Sequence, residues 1–134
     1  VLCGLGIKHA MAVHGEDGFD EISISAPTKV AEIKDGGIFE YTITPEQFGL
    51  PIAEKSEIIG GTPEENALIT QGILAGTIRD AKRNIVLLNA GCALYIAGKA
   101  NSIGEGVALA AETIDNGAAL AKLEELKAFT NTLA

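Results

Sequence analysis

The residues best suited to chemistry lie in one short stretch, Gly15-Glu16-Asp17-Gly18-Phe19-Asp20-Glu21, where four carboxylates fall within six positions. Carboxylate oxygens are hard donors, and magnesium takes one or two of them before filling its shell with water and substrate phosphates. A cation held there would let an acidic protein bind a diphosphate that its own field repels. That field is substantial, since the 134-residue chain sets Lys+Arg 10 against Asp+Glu 18, for a formal net charge of −8. On composition alone an acid cluster in a loop is most often solvated surface, so the case for a metal has to come from elsewhere in the sequence.

The charge balance also limits the partners. Basic residues are scattered, with Lys82-Arg83 the one adjacent pair, so the chain lacks the basic stripe that a nucleic acid or an anionic membrane surface requires. The longest apolar stretch, Ile85 to Ala97, is interrupted by Asn89 and Gly91 and is shorter than the ~20 residues of a membrane span. Cys3 and Cys92 both lie in apolar company, which predicts buried free thiols and a reducing, cytoplasmic compartment. No signal peptide pattern opens the chain. Val1-Leu2-Cys3-Gly4-Leu5-Gly6 reads instead as the last turn of a helix with its glycine stop, an odd way to begin a domain, so a piece of a longer protein is expected.

Elements that could position the acidic loop are legible on both sides of it. His9 to His14 is a mainly apolar run suited to a buried strand, and the loop follows it directly. Ile22 and Ile24 alternate with Ser23 and Ser25, which predicts a short strand ended by Pro27. Thr28 to Ile33 and Ile38 to Ile43 are alternating runs joined by Lys34-Asp35-Gly36-Gly37, the chemistry of a β-hairpin. Pro45, Pro51 and three glycines make 44–61 mostly loop, with at most one short helical turn after Thr44.

Helices fill the remainder. Thr62-Pro63-Glu64-Glu65 has a capping threonine, a first-turn proline and a glutamate placed to close a capping box, so a helix should run to about Ala75 and stop at Gly76. Asp80 to Ala97 is apolar enough to be enclosed on most sides, with Gly98 ending it. Ser102-Ile103-Gly104-Glu105 is a second capping box and opens a helix to about Asn116. Gly117 separates it from a last helix whose Leu120, Leu123 and Leu126 form a core-facing stripe, fraying from Thr130. Strands followed by helices give an α/β or α+β layer arrangement. So thin a sheet would have exposed edges, which another segment of chain would cover.

Other polar residues have mainly structural readings. His14 ends a strand beside the loop and could act as an acid or base, although support of the loop is the simpler role. His9 looks like an ordinary strand-edge residue, and Asn89, inside an apolar helix, like a buried amide bonded across the core. No serine or cysteine sits in a recognisable nucleophile motif, so covalent catalysis has no support.

A wider match changes the weight given to the acids. The string His14-Gly15-Glu16-Asp17-Gly18-Phe19-Asp20-Glu21-Ile22-Ser23 resembles a segment of the anthranilate phosphoribosyltransferases. So do Pro27-Thr28-Lys29-Val30, Ile43 to Leu50, Asn66, Leu87-Leu88-Asn89-Ala90 and Ala93-Leu94-Tyr95, in the same order and spacing over essentially the whole chain. The resemblance implies the C-terminal half of a mixed β-sheet domain of the nucleoside phosphorylase/phosphoribosyltransferase type, an α/β fold with about four helices after its strands. Residues 1–134 would then be a single incomplete domain, strand-rich over 1–50 and helical over 62–134.

It further implies transfer of a phosphoribosyl group from phosphoribosyl pyrophosphate to anthranilate, with release of pyrophosphate, in tryptophan biosynthesis. Asp20 and Glu21 map onto the pair that coordinates Mg2+ on the pyrophosphate. The family's glycine-rich phosphate loop, its Lys-His-Gly-Asn type segment and its dimer-forming helical domain have no counterpart here. The chain is therefore expected to be inactive alone and to need the remainder of the enzyme, which the resemblance implies is a homodimer when complete. Gly4-Leu5-Gly6 is no substitute, lacking a preceding strand. Rival readings are a domain like pyrimidine nucleoside phosphorylase, a non-catalytic acidic module binding a cation or partner, and a clipped piece with no role of its own.

Overall fold

The structure, a computed structural model, describes residues 1–132 of the chain. Three strands, β1 (Ala10–Gly15), β2 (Thr28–Lys34) and β3 (Gly37–Ile43), form an antiparallel sheet in the order β1-β2-β3. Four helices follow: α1 (Pro63–Leu74), α2 (Ala81–Ile96), α3 (Ile103–Asp115) and α4 (Ala118–Asn131). The fold class is α/β, as expected.

The hairpin is tighter than its sequence implied. Lys34 pairs with Gly37, leaving a loop of Asp35 and Gly36 alone, and their φ angles of 51° and 78° are the left-handed pair of a type I′ turn, whose twist matches that of the strands it joins. Alternation then assigns the faces. Thr28, Val30 and Glu32 of β2 point toward the helices and are buried, whereas Lys29 is exposed on the outer face. Val30 and Ile43 join Leu88 and Cys92 of α2 and Val107 and Ile114 of α3 in one apolar cluster. Leu88 is completely buried, a burial that contributes about 2 kcal/mol.

Helix α2 is fixed against α3 at a glycine crossing. A Cβ on Gly106 would lie 2.1 Å from the Gly91 carbonyl oxygen, and one on Gly91 would lie 2.6 Å from the Val107 nitrogen. The two backbones are therefore in direct contact, a separation that no larger residue permits.

The first helix starts as its capping box requires, with Thr62 N–H donating to Glu65 Oε2 at 2.7 Å and Glu65 N–H donating to Thr62 Oγ1 at 3.3 Å. The second box is only half made. Glu105 N–H donates to Ser102 Oγ at 3.2 Å, but the Glu105 carboxylate reaches past Ser102 to accept from the Asn101 amide and side chain, both at 2.9 Å. Either way an orphan amide of the first turn is satisfied, worth about 1 kcal/mol.

Several expectations are corrected. Residues 22–25 are not a strand; they run as irregular chain that bends at Ile24 and Ser25 and is held by side chains. The 44–61 stretch has two 3-10 turns, Pro45–Phe48 and Lys55–Ile58, rather than one. The start of the chain is a single 3-10 turn, Cys3–Leu5, stopped by Gly6 at φ 82°. Cys3 is partly exposed while Cys92 is buried, and both are free thiols. Helix α2 is enclosed along one side only: Ala93 is exposed, and Val86, Ala90 and Leu94 face an open apolar groove shared with α3 and α4. The leucines of α4 do not form a buried stripe, since Leu126 is 56% exposed and no described residue of α4 is buried. The helix stays regular to Asn131, past the expected fraying point at Thr130; Leu133 and Ala134, also in that expected frayed end, lie outside the described residues.

Candidate functional site

The loop between β1 and β2 carries the four acids, and the structure divides them into two pairs. Asp17 and Glu16 serve the loop itself. Ser23 Oγ donates to Asp17 Oδ2 at 2.7 Å, and Glu16 sits 3.9 Å from Lys29 Nζ in an exposed ion pair, an arrangement worth under ~1 kcal/mol. Asp20 and Glu21 are exposed, and among the described residues neither accepts a side-chain hydrogen bond or forms an ion pair.

Local geometry explains why that second pair is left free. Gly15 N–H donates to the Phe19 carbonyl and Gly18 N–H to the Gly15 carbonyl, both at 2.9 Å, which folds 15–19 into a closed turn. Gly15 suits that turn, because a Cβ would stand 2.6 Å from Asp17 Oδ1 and 3.3 Å from the Phe19 oxygen and would push the Asp17 carboxylate aside. After the acids the backbone is held by side chains in place of a β-ladder. Ser23 N–H donates to Thr28 Oγ1 at 3.0 Å, and the amides of Ser25 and Ala26 donate to Ser23 Oγ at 2.9 and 3.2 Å. Hydroxyl capture of nearby amides is what these residues offer as an alternative to sheet pairing, and it is the physical reason the predicted strand at 22–25 does not form.

Asn89 of α2 and Lys55 of the 3-10 turn Lys55–Ile58 also reach the loop. The Asn89 side chain of α2 brackets Ile22: Ile22 N–H donates to Asn89 Oδ1 at 3.0 Å, while Asn89 Nδ2 donates to the Ile22 carbonyl at 2.9 Å and to the Ile85 carbonyl at 3.0 Å. Lys55 Nζ donates to the Asp17 carbonyl and lies 5.2 Å from the centre of the Phe19 ring. Phe19, Glu21, Lys55 and Asn89, with Ile58 and Ile85, line an open cleft of about 560 Å³. Asp20 neighbours this cleft in sequence but is not part of its wall.

The histidines are placed differently from one another. His14 is exposed on the outer face of the sheet in register with Lys29, which gives it no part in holding the loop to α2. His9, expected to be an ordinary strand-edge residue, instead belongs to a half-buried polar cluster around the buried Glu32. Its Nε2 lies 2.9 Å from Glu32 Oε1, and its ring meets that of Tyr95 edge-on at 5.0 Å. Tyr95 donates to Glu32 Oε1 and Tyr41 to Glu32 Oε2, both at 2.8 Å, and Lys34 Nζ donates to the Tyr95 hydroxyl at 3.0 Å. Burial alone would raise the Glu32 carboxyl, but the bonds from His9, Tyr95 and Tyr41 outweigh it and hold the group below its usual range. Burial, joined by the Glu32 charge, raises the Tyr41 hydroxyl and pushes the Cys92 thiol up to about 11.

Chemically, the loop offers two unpaired carboxylates beside a cleft that also contains an ammonium group. No group of three or more His, Cys, Asp or Glu able to hold a metal exists among the described residues, so a structural zinc or calcium cage is not on offer there. The donor set suits magnesium, which needs only one or two carboxylates when phosphate and water complete its shell. Lys55 gives no signal in the sequence; Asn89, a lone amide in an apolar helix, reads as bonded across the core, as it is, but without its partner Ile22.

Comparison with known proteins gives this site a context. The chain is 49% identical over 132 residues to an anthranilate phosphoribosyltransferase of Methanobrevibacter smithii, a match that covers 98% of this chain and 39% of that protein. It is 50% identical over 133 residues to that of Symbiobacterium thermophilum, covering 99% and 39%. The chain thus spans about 39% of the length of the curated relatives it matches. Among solved structures, anthranilate phosphoribosyltransferase (TrpD) from Thermus thermophilus superposes with a TM-score of 0.82 at 40% identity, covering 90% of this chain and 35% of that one. The Saccharomyces cerevisiae enzyme in complex with PRPP and Mg gives 0.78 at 28% identity, covering 87% and 33%. Residues 1–120 match the model of the glycosyl transferase family, a/b domain, and the chain belongs to that family.

Proposed function

We propose that residues 1–134 are a single incomplete domain, the C-terminal part of the catalytic domain of an anthranilate phosphoribosyltransferase, in which Asp20 and Glu21 hold Mg2+ on the pyrophosphate of phosphoribosyl pyrophosphate. The observation that carries this reading is the freedom of those two carboxylates in a loop whose other polar groups are bonded internally. Anthranilate is the acceptor, tryptophan biosynthesis the pathway, and the cytoplasm the compartment. The complete enzyme is a homodimer, and this chain alone is inactive because the phosphate loop and the anthranilate contacts belong to the remainder of the enzyme.

In the transfer, negative charge grows on the departing diphosphate while the ribose becomes cationic. Magnesium bound on the diphosphate supplies neutralisation of that charge as a Lewis acid. The chain's own part is to present Asp20 and Glu21 on a loop already folded by its own hydrogen bonds, so that little loop ordering is needed as charge develops. Lys55, on the wall of the same cleft, adds a positive charge near Glu21 and limits the repulsion between an acidic protein and an anionic substrate.

Calorimetric titration of the chain with pyrophosphate, with and without magnesium, tests the assignment. Binding that requires magnesium and falls at least tenfold in both Asp20→Asn and Glu21→Gln is the expected outcome. Binding indifferent to both substitutions would overturn it.

A further inference from the structure

We infer that Asn89 is a positioning residue: its side-chain amide, bracketing the peptide groups of Ile22, sets the direction in which the adjoining Glu21 faces the cleft and Asp20 stands beside it. The inference rests on the proposed metal role of that pair and adds how the pair is held. Asn89 spans the two peptide groups that flank Ile22, accepting from Ile22 N–H at 3.0 Å and donating to the Ile22 carbonyl at 2.9 Å. Its second amide hydrogen is taken up by the Ile85 carbonyl one helical turn earlier, at 3.0 Å, so the side chain has little freedom to rotate. The contact spans 67 positions in sequence and joins the loop to the helix whose Ile85 and Val86 form the far wall of the cleft.

A simple packing role is a poor account of this arrangement. Ile22 and Ile24 are buried among apolar neighbours, which anchors the segment without any help from an amide. What burial does not fix is the rotation of the chain about its own axis just before Ile22, and that rotation decides where the side chains of Asp20 and Glu21 point. Bonds to the peptide groups on both sides of Ile22, the first of them the Glu21–Ile22 peptide, fix it. The same device recurs at the other end of the cleft region, where Asn66 accepts from Gly61 N–H at 2.8 Å and donates to the Gly61 carbonyl at 3.1 Å, but there the adjoining Glu65 carboxylate is taken up by the Thr62 amide.

Amide hydrogen exchange and magnesium-dependent pyrophosphate titration of the chain together test the inference. In the parent the Ile22 amide should exchange at least tenfold more slowly than those of Asp20 and Glu21; equal rates overturn the inference without any variant. Asn89→Ala, and the size-matched Asn89→Leu, should release the Ile22 amide while leaving Gly15 protected, and should weaken magnesium pyrophosphate about tenfold. Ile114→Ala, a core truncation in α3 away from the loop, serves as the stability-matched control and should bind as the parent does. If Asp20→Asn and Glu21→Gln abolish binding but both Asn89 variants bind normally, the positioning role fails and the metal assignment stands. If the acid variants themselves bind normally, the metal assignment fails and the positioning role with it.

Discussion

Glu32 and the Asp20-Glu21 pair are carboxylates on or beside the same small sheet, yet they live under opposite conditions. Glu32 faces the helices at 6% exposure, with His9, Tyr41 and Tyr95 all bonded to its two oxygens. Asp20 and Glu21 stand in solvent, with no side-chain partner among the described residues. The difference separates two uses of one functional group. A carboxylate whose lone pairs are spent on protein donors holds elements together, and one whose lone pairs are kept free is available to a ligand.

The most direct way to break this contrast is to exchange the consequences. Glu32→Ala should destabilise the chain by about 2 kcal/mol, since it leaves two half-buried phenols and an imidazole without their acceptor, whereas Asp20→Asn should stay within about 0.5 kcal/mol of the parent. Urea unfolding measures both, and comparable losses would erase the distinction.

Acid titration sharpens it. The Glu32 carboxyl is held below its ordinary value of 4.5 in the folded chain, so the unfolded state binds its proton first as pH falls. Its contribution to stability is therefore complete above about 4.5 and is lost as pH drops through the lower folded value. Unfolding free energies measured from pH 6 downward should show this decline, and Glu32→Gln should flatten it; a parent curve unchanged by that substitution would contradict the assignment.

The smallest effect concerns thiols. With its pKa near 11, Cys92 has about a thousandth of its thiol ionised at pH 8, so alkylation should mark the partly exposed Cys3 first. Glu32→Ala should narrow the gap by removing a charge that raises Cys92 and by loosening its cover. Mass spectrometry of the time course would show which cysteine reacts first, and equal rates in the parent would refute the burial.

What is legible in the sequence follows the range of the forces involved. The hairpin is readable because alternation and Asp35-Gly36 act between neighbours, and α1 because Thr62 and Glu65 cap each other across three positions. Composition and spacing alone name the acids without sorting them, because Asp17 becomes structural only when Ser23 turns toward it; the family resemblance is what singles out Asp20 and Glu21. Residues 22–25 mislead for a related reason: an alternating Ile-Ser pattern fits a strand, and nothing local reveals that Ser23 Oγ and Asn89 will take the backbone bonds a neighbouring strand would have used. Glu32 looks like an ordinary strand residue, since its donors come from 9, 23 and 63 positions away.

The glycine crossing of α2 and α3 bears on all of this. With backbone against backbone at Gly91 and Gly106, α2 can neither roll nor slide without a clash, and Asn89 sits two residues from that pivot. The phase of the helix is thereby locked, and the amide is delivered to Ile22 at a fixed angle. A single methyl group added at Gly106 would act as a wedge, and its effect would be felt at the far end of the lever, in the aim of two acids that it never touches.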